Sequence, residues 1–113
     1  MIPFNFLLEI LALVGIIFII TGVFMQIFPP KKINSLYGYR TNRSMQNQKK
    51  WDFAQKYAAR LLTIIGLVLL IISLINSFFS IRYGASEKIT NVILIIGSVI
   101  FLLIKTEKRL KNI

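Results

Sequence analysis

The chain has 113 residues, 56% of them hydrophobic, and a mean hydropathy of +0.71. Soluble domains are about 45–50% apolar, and so short a chain buries too little of its own surface to hide the excess. Net charge is +10, and cysteine and histidine are absent. That excludes a disulfide framework, a thiolate nucleophile and a zinc site of the usual Cys/His kind.

Ile10 to Pro30 carries no charge and is long enough to span a membrane, with the span at about residues 6–28. A cleaved signal peptide would need a basic start, yet residues 1–9 hold no Lys or Arg and Lys31-Lys32 follows the run. Glu9 falls in the first turn, where the positive helix end favours it, and Arg82 or Lys88 could pair with it. A structural role is the better reading than a functional one. Gly15 and Gly22 share a face with Ala12, a surface suited to close helix packing.

Residues 29–59 form a loop. Pro29-Pro30 stops the first helix, because a proline disfavours helical geometry in the residue before it. Asn34 to Thr41 reads as a turn with Gly38 at positive φ. From about Ser44 the pattern turns helical, although Ser44 is a weak cap because position 47 is Asn rather than Glu or Gln. Met45, Trp51, Ala54, Ala58 and Leu61 share one stripe, against Lys49, Lys50, Lys56 and Arg60. This predicts an interfacial amphipathic helix at headgroup level, leading unbroken into the second span.

The second span is predicted at about residues 60–81, with Gly66, Ser73 and Ser77 on a small-residue face. A third, at about 88–105, reaches full length only if Lys88 and Lys105 extend their ammonium groups to the headgroups. Asn76 and Asn91 are expected to hydrogen-bond between helices. The fold class is therefore an all-α membrane protein with three transmembrane helices in one domain.

Lysine and arginine number zero in residues 1–9, eight from Lys31 to Arg60, two in the second connector and four after Ile104. Positive-inside bias then places the amino terminus outside, with the long loop and the carboxyl terminus cytoplasmic.

The segment Asn34-Ser35-Leu36-Tyr37-Gly38-Tyr39-Arg40-Thr41 is more specific than a merely basic loop requires. With Pro30 four residues before Asn34, and with Ser44, Asn47 and Trp51 downstream, it resembles the signature of the SdpI/YfhL family. That signature has a Pro-x-x-x-Asn start, an aromatic-Gly-aromatic-Arg-Thr core, then an Asn and a Trp. The resemblance covers roughly residues 28–62. It implies a bacterial cytoplasmic-membrane immunity protein that protects a producer cell against a secreted antimicrobial toxin. The founding member also resembles an anti-repressor that draws a transcription factor to the membrane. The resemblance is to a short, three-helix form, expected to do without the additional amino-terminal membrane region of longer relatives, and the chain has Gln48 and Lys49 where relatives often carry an acid. A charge-pairing role for that acid does not carry over.

Read without the family, Arg40 offers a planar fork suited to a carboxylate or lipid phosphate. Tyr37, Tyr39 and Trp51 suit an interface. Two readings stand. In one, Asn34, Arg40, Thr41 and Trp51 cap the inner mouth of the bundle, where helix-end carbonyls need donors. In the other, Arg40, Arg43 and Lys31 hold an anionic lipid headgroup.

No enzymatic role is expected. Asp52 is the loop's one acid, and without histidine no Ser/His arrangement exists. No cofactor is expected. A nucleic-acid role fails because topology already accounts for the charge. The leading expectation is resistance to an antimicrobial peptide or protein toxin. The alternatives are a membrane scaffold that sequesters a cytoplasmic repressor and a protein that binds anionic lipids. The bilayer itself is a partner, and homo-oligomers are compatible with the sequence.

Overall fold

A computed structural model describes residues 10–78 and 86–113, with 86–88 described by backbone alone. Its helices are α1 (Ile10–Ile27), α2 (Gln48–Phe78) and α3 (Ser86–Leu110), and each is long and apolar enough to cross a membrane. Among the described residues there is no strand. The expectations for Glu9, for Arg82 and the Lys88 side chain, and for the start of the first span and the end of the second lie outside the described residues.

The 31 residues of α2 make a helix of about 46 Å at 1.5 Å per residue, well beyond the roughly 30 Å apolar core of a bilayer. Amphipathic turns and span are thus one unbroken helix. It begins at Gln48, a turn later than the sequence suggested. Asn47 is the cap, its Oδ1 accepting the Lys50 amide at 2.8 Å. Ser44 cannot serve, because its hydroxyl is engaged with Thr41 and Tyr39. Met45 consequently lies in the loop rather than on the stripe.

The stripe itself does not face headgroups. Trp51, Ala54 and Ala58 are buried, joined by the unexpected Gln55. A folded loop covers that face, so interior packing replaces contact with lipid.

α1 packs along α2 at backbone distance. A Cβ added to Gly15 would lie 2.9 Å from the Gly66 carbonyl oxygen, and one added to Gly66 would lie 2.7 Å from that of Gly15. Gly22 backs onto the Ala59 carbonyl in the same way, 2.8 Å from a notional Cβ. Ala12 and Ser73 are buried on these faces. In a bilayer lipid is as apolar as leucine, so dispersion and close approach must hold helices together. Gln26 Nε2 adds a polar clip by donating to Thr63 Oγ1 at 2.9 Å. Among the described residues, Asn76 and Asn91 make no interhelical hydrogen bond.

α3 is attached differently. No residue from Ile89 to Phe101 is buried, whereas Leu102, Thr106 and Leu110 are, at spacing four on one face. The helix continues past the expected stop near 105 because Leu110 still has an interior to enter. Lys105, Lys108 and Arg109, which read as a tail, sit exposed on its outer side. Elsewhere the bundle shows lipid a belt of apolar side chains, among them Ile17, Ile20, Ile64, Ile71, Ile93 and Ile104.

Candidate functional site

The loop between α1 and α2 folds by local polar side chains. Asn34 Oδ1 accepts the amides of Leu36 at 2.9 Å and Tyr37 at 2.7 Å, while its Nδ2 donates to the Lys32 carbonyl at 2.9 Å. Such an Asx turn reverses the chain without regular structure. The Tyr37 hydroxyl then donates to the Phe28 carbonyl at 2.7 Å, just past the end of α1. Gly38 follows with φ of +110°, where an L side chain would be strained, and a Cβ there would lie 2.5 Å from Gln55 Oε1.

Tyr39 is the pivot. Gln55, 2% exposed, takes its amide on Oε1 at 2.7 Å and donates to its carbonyl from Nε2 at 2.9 Å. One side-chain amide therefore satisfies both backbone groups of a buried residue, as a neighbouring strand would. Thr41 and Ser44 engage reciprocally: Thr41 N donates to Ser44 Oγ at 2.8 Å, and Ser44 N to Thr41 Oγ1 at 3.2 Å. Trp51, wholly buried, donates from Nε1 to the Pro30 carbonyl at 2.7 Å.

The loop is also fastened to α3. The Tyr39 hydroxyl donates to Glu107 Oε1 at 3.0 Å, and Arg43 Nη1 lies 3.6 Å from Glu107 Oε2. Burial holds the Tyr39 phenol well above its ordinary pKa, and the adjacent Glu107 carboxylate pushes it the same way. Burial also raises Tyr37.

The sequence-predicted residues thus divide. Tyr39, Ser44 and Trp51 are interior, Asn34, Tyr37, Gly38 and Thr41 are half-buried, and Arg40 and Asn47 are exposed. The mouth cap is made differently from expectation. Tyr37 and Trp51 reach the carbonyls at and after the end of α1, whereas Arg40 Nη1 donates to the Ser35 carbonyl within the loop. Tyr39 and Trp51 are packed inside rather than set at an interface. Of the headgroup trio, Arg43 is engaged by Glu107 and Arg40 by the Ser35 carbonyl, while Lys31 is exposed.

Gln55 and Glu107 were not anticipated. Gln55 stands four residues after Trp51, so it had to fall on the buried stripe. Glu107 is the lone acid among Lys105, Lys108, Arg109 and Lys111. Those were the available signals.

Below this knot lies an apolar cleft of about 290 Å³. Gly38 and Tyr39 roof it, Ala58, Leu62 and Ile65 of α2 floor it, and Phe18 and Met25 of α1 face Val99 and Leu102 of α3. α1 and α3 meet far less than α1 and α2, so the cleft opens between them.

These features define a multi-pass helical membrane protein whose first interhelical loop is a folded, hydrogen-bonded cap tied to the last helix. The chain belongs to the SdpI/YfhL protein family, whose model matches residues 31–106, from the loop to the buried Thr106. It is 41% identical over 97 residues to the uncharacterized protein YfhL of Bacillus subtilis (strain 168), covering 86% of this chain and 82% of that one. No solved structure matches.

Proposed function

We propose that this protein confers resistance on a bacterial cytoplasmic membrane by intercepting a membrane-active antimicrobial peptide or protein toxin within the bilayer. It acts by binding, not catalysis. The observation that carries this reading is the cleft between α1 and α3, roofed by Gly38 and Tyr39 of the family motif. Its apolar walls suit a hydrophobic side chain or helix edge entering sideways from lipid. Membership of a family whose signature implies immunity supports the same reading.

The orientation is part of the proposal. The Tyr39–Glu107 bond brings the loop and the end of α3 to one end of the bundle. Twelve of the fourteen basic residues belong to these two segments and the first turns of α2. Positive-inside bias makes that end cytoplasmic.

The test is expression in a sensitive bacterium challenged with purified membrane-active toxins, including any encoded beside this gene. Protection is expected from the wild type, and its loss is expected from Val99→Trp, which fills the cleft, at equal membrane abundance. No protection against any of them, or full protection by Val99→Trp, overturns the reading.

A further inference from the structure

We infer that a second groove, between α2 and α3, is a binding site for one anionic phospholipid. Its body is about 530 Å³ of almost wholly apolar space on the other flank of the α2–α3 contact, with Ile65 and Ser98 shared between it and the cleft. Leu61, Ile64 and Val68 line it from α2, and Ile93, Gly97 and Phe101 from α3. It stays open at Gly97, where an added Cβ would meet nothing within 4 Å.

Three cations stand at its basic end. Arg60 is one turn from Ile64 on the same face of α2, and helical side chains lean toward the amino terminus, here away from the apolar layer. Lys105 Nζ lies 5.6 Å from the centroid of the Phe101 ring, and the Arg109 guanidinium 5.9 Å from that of Tyr57. Lys105 thus sits on the lining residue Phe101, and Arg109 on Tyr57, one turn before the lining residue Leu61. All three are exposed.

None has a carboxylate partner among the described residues, where Arg43–Glu107 is the one ion pair. Glu107 is turned to Tyr39 and Arg43, and Asp52 to Gln48. An apolar trough ending in three uncompensated cations matches an acyl chain with a phosphate at its head. A second copy of this chain, carrying the same charges at the same level, would meet them with repulsion.

Native mass spectrometry of the detergent-purified full chain, titrated with phosphatidylglycerol or phosphatidylcholine, tests this. One phosphatidylglycerol should be retained in preference to phosphatidylcholine. The triple variant Arg60→Gln, Lys105→Gln, Arg109→Gln should bind it about tenfold more weakly or worse. Gly97→Phe should displace it by filling the groove. Neutralising Lys32, Lys49 and Lys50, an equal charge elsewhere, should leave retention unchanged, and circular dichroism melts establish that each variant is folded.

Equal retention of the two lipids, unchanged binding by the folded triple variant, or equal loss from the Lys32, Lys49 and Lys50 control overturns the inference. So does a lipid-free dimer that Gly97→Phe dissociates.

Discussion

Gln55 grips Tyr39 by both backbone groups, taking its amide at 2.7 Å and donating to its carbonyl at 2.9 Å. The two halves of this contact are unequal in consequence. Ser44 Oγ also donates to the Tyr39 carbonyl, at 3.1 Å, so that oxygen keeps a partner if Gln55 is lost. The buried amide keeps none. Gln55→Leu should therefore destabilise the protein by about 1–3 kcal/mol, the cost of one orphaned buried donor. Reversible unfolding in mixed micelles measures it. Unchanged stability would mean that the amide finds water.

The two glycine environments make opposite predictions for one substitution. Gly66→Ala forces its Cβ against the Gly15 carbonyl and the Ile19 backbone, neither of which yields without separating α1 from α2. Gly97→Ala enters open space and gains helix propensity of up to about 1 kcal/mol. Thermal melts in detergent should fall for the first and hold or rise for the second. Matching losses would rule out the glycine-to-glycine crossing.

Tyr39 makes stability depend on alkaline pH in one direction. Its folded-state pKa is raised above the unfolded value of about 10, so folding favours the neutral phenol. The contribution is fully present below that unfolded value and fades as pH rises through the folded one. The wild type should lose stability relative to Tyr39→Phe only above about pH 10. Absorbance at the tyrosinate band, wild type minus Tyr39→Phe, should show this residue titrating above the ordinary range. An ordinary titration would show that Tyr39 is neither buried nor held against Glu107 in solution.

Trp51 is the chain's one tryptophan and is wholly buried beneath the loop. Its emission should be blue-shifted and resistant to iodide, and Asn34→Ala, which removes the Asx turn, should expose it. A red-shifted, freely quenched native emission would mean that the loop does not cover α2.

The spans were legible because uncharged apolar runs of membrane length have few other uses, and the Gly15–Gly66 crossing because small residues recurred on facing helices. Gly38 was legible for its backbone alone. The loop's interior was not. Trp51 and Tyr39 carry the amphipathic chemistry of an interface, and only knowing that residues 34–47 fold back over α2 makes them core. Arg40 misled for a related reason. A guanidinium advertises a distant anion, but a carbonyl five residues away satisfies it first. Glu107 was hidden by sequence distance, 68 residues from its Tyr39 partner, among lysines that resembled a solvated tail.

Orientation can be decided at Leu36, 89% exposed at the tip of the loop, in a protein with no cysteine to confuse the readout. A Leu36→Cys variant should resist a membrane-impermeant maleimide in intact cells and react once the membrane is breached. The site makes no buried contact, so the substitution should leave folding within about 0.5 kcal/mol of the wild type. Ile113→Cys should behave identically, because the Tyr39–Glu107 bond fixes the loop and the last turn of α3 at one end. Labelling of both from outside would invert the topology and leave the bundle intact. Labelling of only one would break the bundle itself, since no three-span arrangement separates two segments joined by a 3.0 Å hydrogen bond.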